Sequence, residues 1–175
     1  MLPRGFRNNN PGNLVITSSD WKGKLPIAQN TDGHFEQFSQ LFWGVRAMLI
    51  DIVGDIAQDG KDTLNKLIAE YAPSFENNTS AYIDYVSRKT GLKPGEKISL
   101  DKKTLSKLIR AKIEVENGKQ YADLYYKEAD FEKAFNELPV STLALIGINT
   151  HKLPVLLVVS AIVLVWLITY KLIKK

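Results

Sequence analysis

The sequence predicts a mainly α-helical fold of the α+β class, with a small irregular β-hairpin and one C-terminal transmembrane helix. Three observations carry this expectation: helical apolar periodicity from about residue 42, a turn-rich aromatic stretch before it, and an uncharged apolar run near the end. They divide the 175 residues into a compact domain over 1–138, an apolar connector over 139–152, and a membrane helix with a basic tail over 153–175.

Between Leu14 and Phe38 the turn residues Trp21 to Gly23 and Thr31 to His34 break the chain too often for a long element, so a short hairpin is expected. A helix is predicted from about Phe42 to Gln58, with Val45, Leu49, Ile52, Val53 and Ile56 on its apolar face. Asp62 or Thr63 caps the next, which buries Leu64, Leu67, Ile68 and Tyr71 before Pro73 stops it. A third starts near Thr79 or Ser80 and ends at Gly91. Asp101 caps a fourth that runs to about Asn117, with Gly118 in the terminating place. Tyr121 to Leu138 reads as one more helix, closed by Pro139.

Leu153 to Tyr170 is a run of eighteen residues without a charge, enough to cross a bilayer as a helix. Trp166 and Tyr170 are spaced like interfacial anchors, and Lys171, Lys174 and Lys175 follow. A lipid bilayer is therefore an expected partner through residues 153–170. The expected location is therefore a single-pass membrane one. No apolar stretch near Met1 has the form of a signal peptide.

All 19 acidic residues precede Asn149, and so do 19 of the 23 lysines and arginines. The compact part is formally neutral, which argues against a nucleic-acid partner, since phosphate recognition calls for a basic surface. Without cysteine there is no thiolate nucleophile or disulfide, and two histidines make a poor metal site. No metal and no cofactor are expected.

The chemistry concentrates at two places. Arg7 to Asn13 set Asn8, Asn9, Asn10 and Asn13 around a Pro11–Gly12 reversal. These amides are either the caps of a surface turn or neutral donors and acceptors for a ligand rich in hydroxyls and acetamides. The second place is Glu116. At about 100° per residue it falls in the middle of the stripe formed by Leu105, Leu108, Ile109 and Ile113, whereas Glu114 falls opposite, as a solvated partner of Arg110. In the last helical turn the dipole disfavours a negative charge, and burial acts the same way. Glu116 is thus either a general acid for glycosidic cleavage or one half of an ion pair with Lys112, one turn back. No second carboxylate stands out, which leans toward a lytic transglycosylase over a two-carboxylate hydrolase.

The run Arg4 to Asn13 (RGFRNNNPGN) resembles the opening of a phage-associated family of lysozyme-like proteins, often virion components. The similarity continues through Trp21 to Gly23, Phe35 to Phe38, Gly44 to Ala47, Tyr71 to Thr79, Tyr82, and Glu116 to Gly118, covering residues 4 to about 121. The order also resembles a peptidoglycan glucosaminidase rearranged as though circularly permuted. The resemblance implies a lysozyme-like fold, peptidoglycan as substrate, and Glu116 as counterpart of the catalytic acid. It places Arg7, Asn8, Asn9, Asn10, Asn13 and Trp21 along the sugar, with Glu36, Asn77 and Tyr82 as further cleft residues. Arg7 has a second reading, as a lock between loop and domain. The sequence departs from the pattern at Tyr71, where Trp is usual, and in the apolar run after Leu153, which beside the resemblance implies the virion membrane of a lipid-containing phage or a bacterial envelope as its location.

The expected function is therefore cleavage of peptidoglycan glycan strands by a virion-associated bacteriophage enzyme, of lytic transglycosylase or muramidase type, for cell-wall penetration or lysis. The alternative is a non-catalytic virion protein that binds glycan or capsid proteins.

Overall fold

A computed structural model describes residues 1–72 and 78–148. Eight α-helices lie in these residues: α1 (Arg4–Arg7), α2 (Leu41–Ala57), α3 (Leu64–Tyr71), α4 (Thr79–Thr90), α5 (Lys102–Asn117), α6 (Lys119–Tyr125), α7 (Glu128–Asn136) and α8 (Val140–Leu145). The long helices α2 and α5 form the centre. α7, α8 and α3 pack on α2, while α4 and α6 pack on α5.

Local sequence explains where the helices begin and end. Thr63 caps α3 by accepting from the Lys66 amide, and Asn78 caps α4 by accepting from the Ala81 amide at 3.0 Å. Asp101 caps α5 through the Thr104 amide at 2.9 Å. Gly91 and Gly118 close α4 and α5 with φ near +81° and +83°, a region where side chains are disfavoured. The faces that meet are apolar: Val45, Leu49, Ile52 and Val53 of α2, Leu105, Ile109 and Ile113 of α5, and Phe131 and Phe135 of α7 share one buried core.

Three sequence expectations are corrected here. The α+β class with a β-hairpin gives way to a helical fold, with no strand among the described residues. Residues 14–38 form a folded loop with isolated antiparallel bridges, Val15 with Phe35 and Lys24 with Phe38, and one 3-10 turn at Ile27–Gln29. A ladder does not form because amide side chains take carbonyls that it would use: Asn10 Nδ2 donates to the Glu36 carbonyl, and Asn30 Nδ2 to that of Phe35. The expected transmembrane helix and single-pass membrane location are corrected by a second finding. No helix among the described residues is long and apolar enough to cross a membrane. The run 153–170, for which the span was expected, lies outside the described residues. Finally, the stretch Tyr121 to Leu138 is two helices. Tyr126 and Lys127 are extended between them, and Asp130 restarts the helix by accepting from the Lys127 amide at 3.0 Å.

The opening residues are seated on this helical frame. Phe6 enters the core, and the backbone of Asn9 and Asn10 runs so close to Gly44 of α2 that a Cβ there would overlap the Asn9 carbonyl oxygen. Alanine favours a helix over glycine by about 1 kcal/mol, so a free helix face would be strengthened by the exchange. We expect Gly44→Ala to lower stability instead, by about 1–3 kcal/mol, the cost of overpacking, in urea unfolding. A stabilised variant would show that the loop does not sit on α2.

Candidate active site

A cleft of about 520 Å³ opens where the loop, α2, α3 and α5 converge. Asn13, Val15 and Phe35 form its loop wall. Asp51 and Asp55 come from α2, Glu70 and Tyr71 from α3, and Lys112 and Glu116 from α5. The volume lies in the range typical of small-molecule sites, about 300–1,000 Å³.

Glu116 is half-buried and held from two distant parts of the chain. Asn13 Nδ2 donates to one carboxyl oxygen at 3.0 Å, and the Tyr82 hydroxyl donates to the other at 3.1 Å. Both partners are neutral, so neither cancels its charge. Burial, and next the neighbouring Glu116, raise the pKa of Tyr82 well above the usual phenol value, which keeps its proton available for that bond.

The ion pair considered between Glu116 and Lys112 is not made within 4.0 Å. Lys112 Nζ lies 3.0 Å from the centroid of the Tyr71 ring, with only 5% of the residue exposed. Burial pushes the Lys112 ammonium down to about 8, against the opposing pull of Glu116, Asp51 and Asp55. Asp51 is shifted the other way: burial raises it, and the charge of Asp55 adds to that. Asp55 accepts from the Tyr71 hydroxyl at 2.6 Å and pairs with Lys61 at 2.8 Å, and Lys61 also reaches Glu70 at 3.3 Å.

Glu114 shows the contrast. It is 5% exposed, not solvated as its place on the helix suggested, and it receives Arg110 at 3.0 Å, Lys89 at 2.9 Å and the Tyr85 hydroxyl at 2.7 Å. Burial opposes its charge, but these bonds outweigh it and hold the carboxyl below its usual range. This is a neutralised structural hub.

The other expected site residues are placed as follows. Asn8 is buried, donating to Asp32 at 2.8 Å and accepting from Gln37 at 2.9 Å. Asn9 donates to the Phe38 carbonyl, and Asn10 closes the loop through Leu14 and Glu36. Of the four loop asparagines, only Asn13 lines the cleft. Glu36 is buried beneath the loop, 3.9 Å from Lys24. Arg7 is exposed, and neither it nor Trp21 lines the cleft. Asn77 lies outside the described residues. Tyr82 reaches the site through its bond to Glu116 and also lines an adjoining hollow of about 430 Å³ with Tyr85 and Glu114.

Sequence reasoning missed Asp51, Asp55 and Glu70. The available signal was two aspartates four residues apart on one flank of the apolar stripe of α2, where one face of a helix brings both side chains together.

The chain is similar to Protein P5 of Pseudoalteromonas phage PM2, with 35% identity over 118 residues, covering 66% of this chain and 71% of that protein. It belongs to that phage protein family. No protein-family model matches the chain. This family places the protein in a bacteriophage.

The buried Lys112 makes a pH signature. Its folded pKa of about 8 lies below the ordinary lysine value of 10.5, so the fold disfavours its charged form. Below pH 8 both states carry the proton and the folded state bears the whole penalty; above pH 8 the folded state sheds it while the unfolded chain keeps it. Stability relative to a variant without this amine therefore rises with pH from about 8 to 10.5. We expect Lys112→Met to be the more stable protein at pH 7. Its advantage in urea unfolding should shrink by about 2–3 kcal/mol between pH 8 and 10, at about 1.4 kcal/mol per unit. A constant difference across that range would mean that the ammonium is solvated.

Proposed function

We propose that this phage protein is a virion component whose cleft binds the glycan strands of peptidoglycan and cleaves them, with Glu116 as a catalytic carboxylate. The role is local opening of the cell wall during entry or release. The observation that carries the reading is the convergence on Glu116 of Asn13 and Tyr82, residues far apart in sequence, inside an open cleft rich in carboxylates. A carboxyl group held by neutral donors has no counter-cation among them, and glycosidic cleavage proceeds through a cationic, oxocarbenium-like transition state that a carboxylate stabilises. The Asn13 amide also borders the cleft as a polar group beside a sugar's substituents. Membership of the phage protein family and the resemblance of the opening run to lysozyme-like virion proteins, of lytic transglycosylase or muramidase type, support the same reading.

A second reading, a non-catalytic virion protein that binds glycan or capsid proteins, draws support from one observation. Asn8, Asn9 and Asn10 spend their amides inside the fold, which leaves fewer groups to grip a sugar.

The test is digestion of purified peptidoglycan by the full chain, wild type beside Glu116→Gln, with soluble products read by mass spectrometry. We expect released muropeptides from the wild type and a loss of at least about 100-fold in the variant, the scale of a positioned proton-transfer group. Retention on peptidoglycan by both proteins without products would establish the non-catalytic reading.

A further inference from the structure

Four carboxylates line the cleft, and three of them have partners. Asp55 is held by Lys61 and the Tyr71 hydroxyl, Glu70 shares Lys61, and Glu116 is held by Asn13 and Tyr82. Asp51 makes no hydrogen bond and no ion pair among the described residues. It sits half-buried on α2, opposite the α5 wall that carries Glu116.

A second observation points to a ligand in the same place. Lys112 lines the cleft, is 95% buried by its 5% exposure, and has neither a hydrogen bond nor an ion pair among the described residues. An ammonium on a side chain so largely buried, held over the Tyr71 ring and without an oxygen acceptor among the described residues, is costly. In an open cleft its acceptor is an oxygen that enters from outside.

We infer that Asp51 is the second carboxylate of the glycan-cleaving site, the proton donor to the glycosidic oxygen, with Glu116 as the base and Lys112 as the contact to a substrate oxygen. The inference rests on the function proposed above and makes the reaction a hydrolysis. Attack by a sugar's own hydroxyl needs one carboxylate, whereas hydrolysis by water uses two. In the step, Asp51 gives its proton to the glycosidic oxygen as the bond from that oxygen to the anomeric carbon breaks. The oxygen leaves as a hydroxyl of one strand fragment. A water oxygen bonds to the anomeric carbon and passes its proton to Glu116. Asp51 ends ionised and Glu116 protonated, and exchange with solvent restores both.

The surroundings suit these roles. Facing Asp51 are Asp55 on its own helix, Lys112 and Glu116 on α5, Glu70 and Tyr71 on α3, and Lys61 in the connection before α3. Burial and the Asp55 charge favour the protonated form of Asp51, and they outweigh the opposing Lys112 and Lys61 charges. Glu116 accepts a hydrogen bond on each oxygen, the arrangement an acceptor group makes. The sequence reading gave the proton to Glu116; the cleft offers that part to Asp51.

The experiment compares wild type, Asp51→Asn and Glu116→Gln of the full chain on two substrates: purified peptidoglycan and a dinitrophenyl glycoside of an N-acetylglucosamine oligomer. The dinitrophenolate departs without a proton, so a donor is dispensable on that substrate and a base is not. Asp51 has no described partner to lose, and thermal melting confirms that the variant folds. We expect reducing ends from the wild type, a loss of about 100-fold or more on peptidoglycan for Asp51→Asn, and recovery of most of that loss on the dinitrophenyl substrate. Glu116→Gln should fail on both. Peptidoglycan products from Asp51→Asn at the wild-type rate, or anhydro-sugar ends from the wild type, overturn the Asp51 assignment and leave the glycan-cleavage function standing. No product from the wild type on either substrate overturns both together.

Discussion

The seating of the opening loop between α2 and α5 is the constraint on which the rest of the site depends. Asn117 Nδ2, at the end of α5, donates to the Pro11 carbonyl at 2.8 Å, and Gly44 admits the Asn9 backbone against α2. Asn10, fully buried, ties the far side of the turn to Leu14 and Glu36 with three bonds. A buried amide left unpaired would cost about 1–3 kcal/mol, so these bonds fix the loop in one position. Asn9 and Asn13 adopt positive φ, near +50° and +51°, where asparagine is tolerated better than most residues. The outcome is positional: Asn13 arrives beside Glu116.

This explains why the asparagine-rich string and the Glu116 to Gly118 turn, about a hundred residues apart, belong to one device. Gly5 is part of it too, since a Cβ there would overlap the Asn117 side chain. Asn117 and Gly118 end α5, Glu116 stands one residue before that end, and α4 leans on the other flank so that Tyr82 meets the same carboxyl. The loop, α4 and α5 each supply one group. A shift in any of the three would separate Glu116 from a donor.

Much of the helical frame was legible because its signals are local. Thr63, Asp101, Gly91 and Gly118 mark helix ends by side-chain capping or backbone freedom, and the spacing of Val45, Leu49, Ile52 and Ile56 marks the buried face of α2. The break at Tyr126 was hidden because its extended backbone follows from tertiary packing and the Asp130 cap, with no proline or glycine to announce it. The hairpin expected over residues 14–38 failed because the period of apolar residues says nothing of which carbonyls Asn10 and Asn30 will take. In the site, Glu116 could be chosen from helix phase alone. Asp51 and Asp55 could not, because their significance depends on α2 crossing α5 at the level of Lys112. The loop asparagines mislead in the opposite sense, since composition counts amides without telling which are consumed by the fold.

The two glutamates of α5 show how the fold gives neighbouring carboxyl groups opposite surroundings. Glu114 meets two cations and a hydroxyl, and its charge is cancelled where it is buried. Glu116, two residues on, meets an amide and a hydroxyl only, and the nearby ammonium of Lys112 is held off over the Tyr71 ring. A buried ion pair is replaceable by apolar side chains at little cost to stability, often with a gain. A largely buried lysine that pairs with no carboxylate among the described residues is harder to explain by stability at all. Its field acts on Asp51, Asp55 and Glu116 together, while burial favours the neutral form of Asp51. That arrangement makes sense when the charges in the cleft are completed by something that enters it.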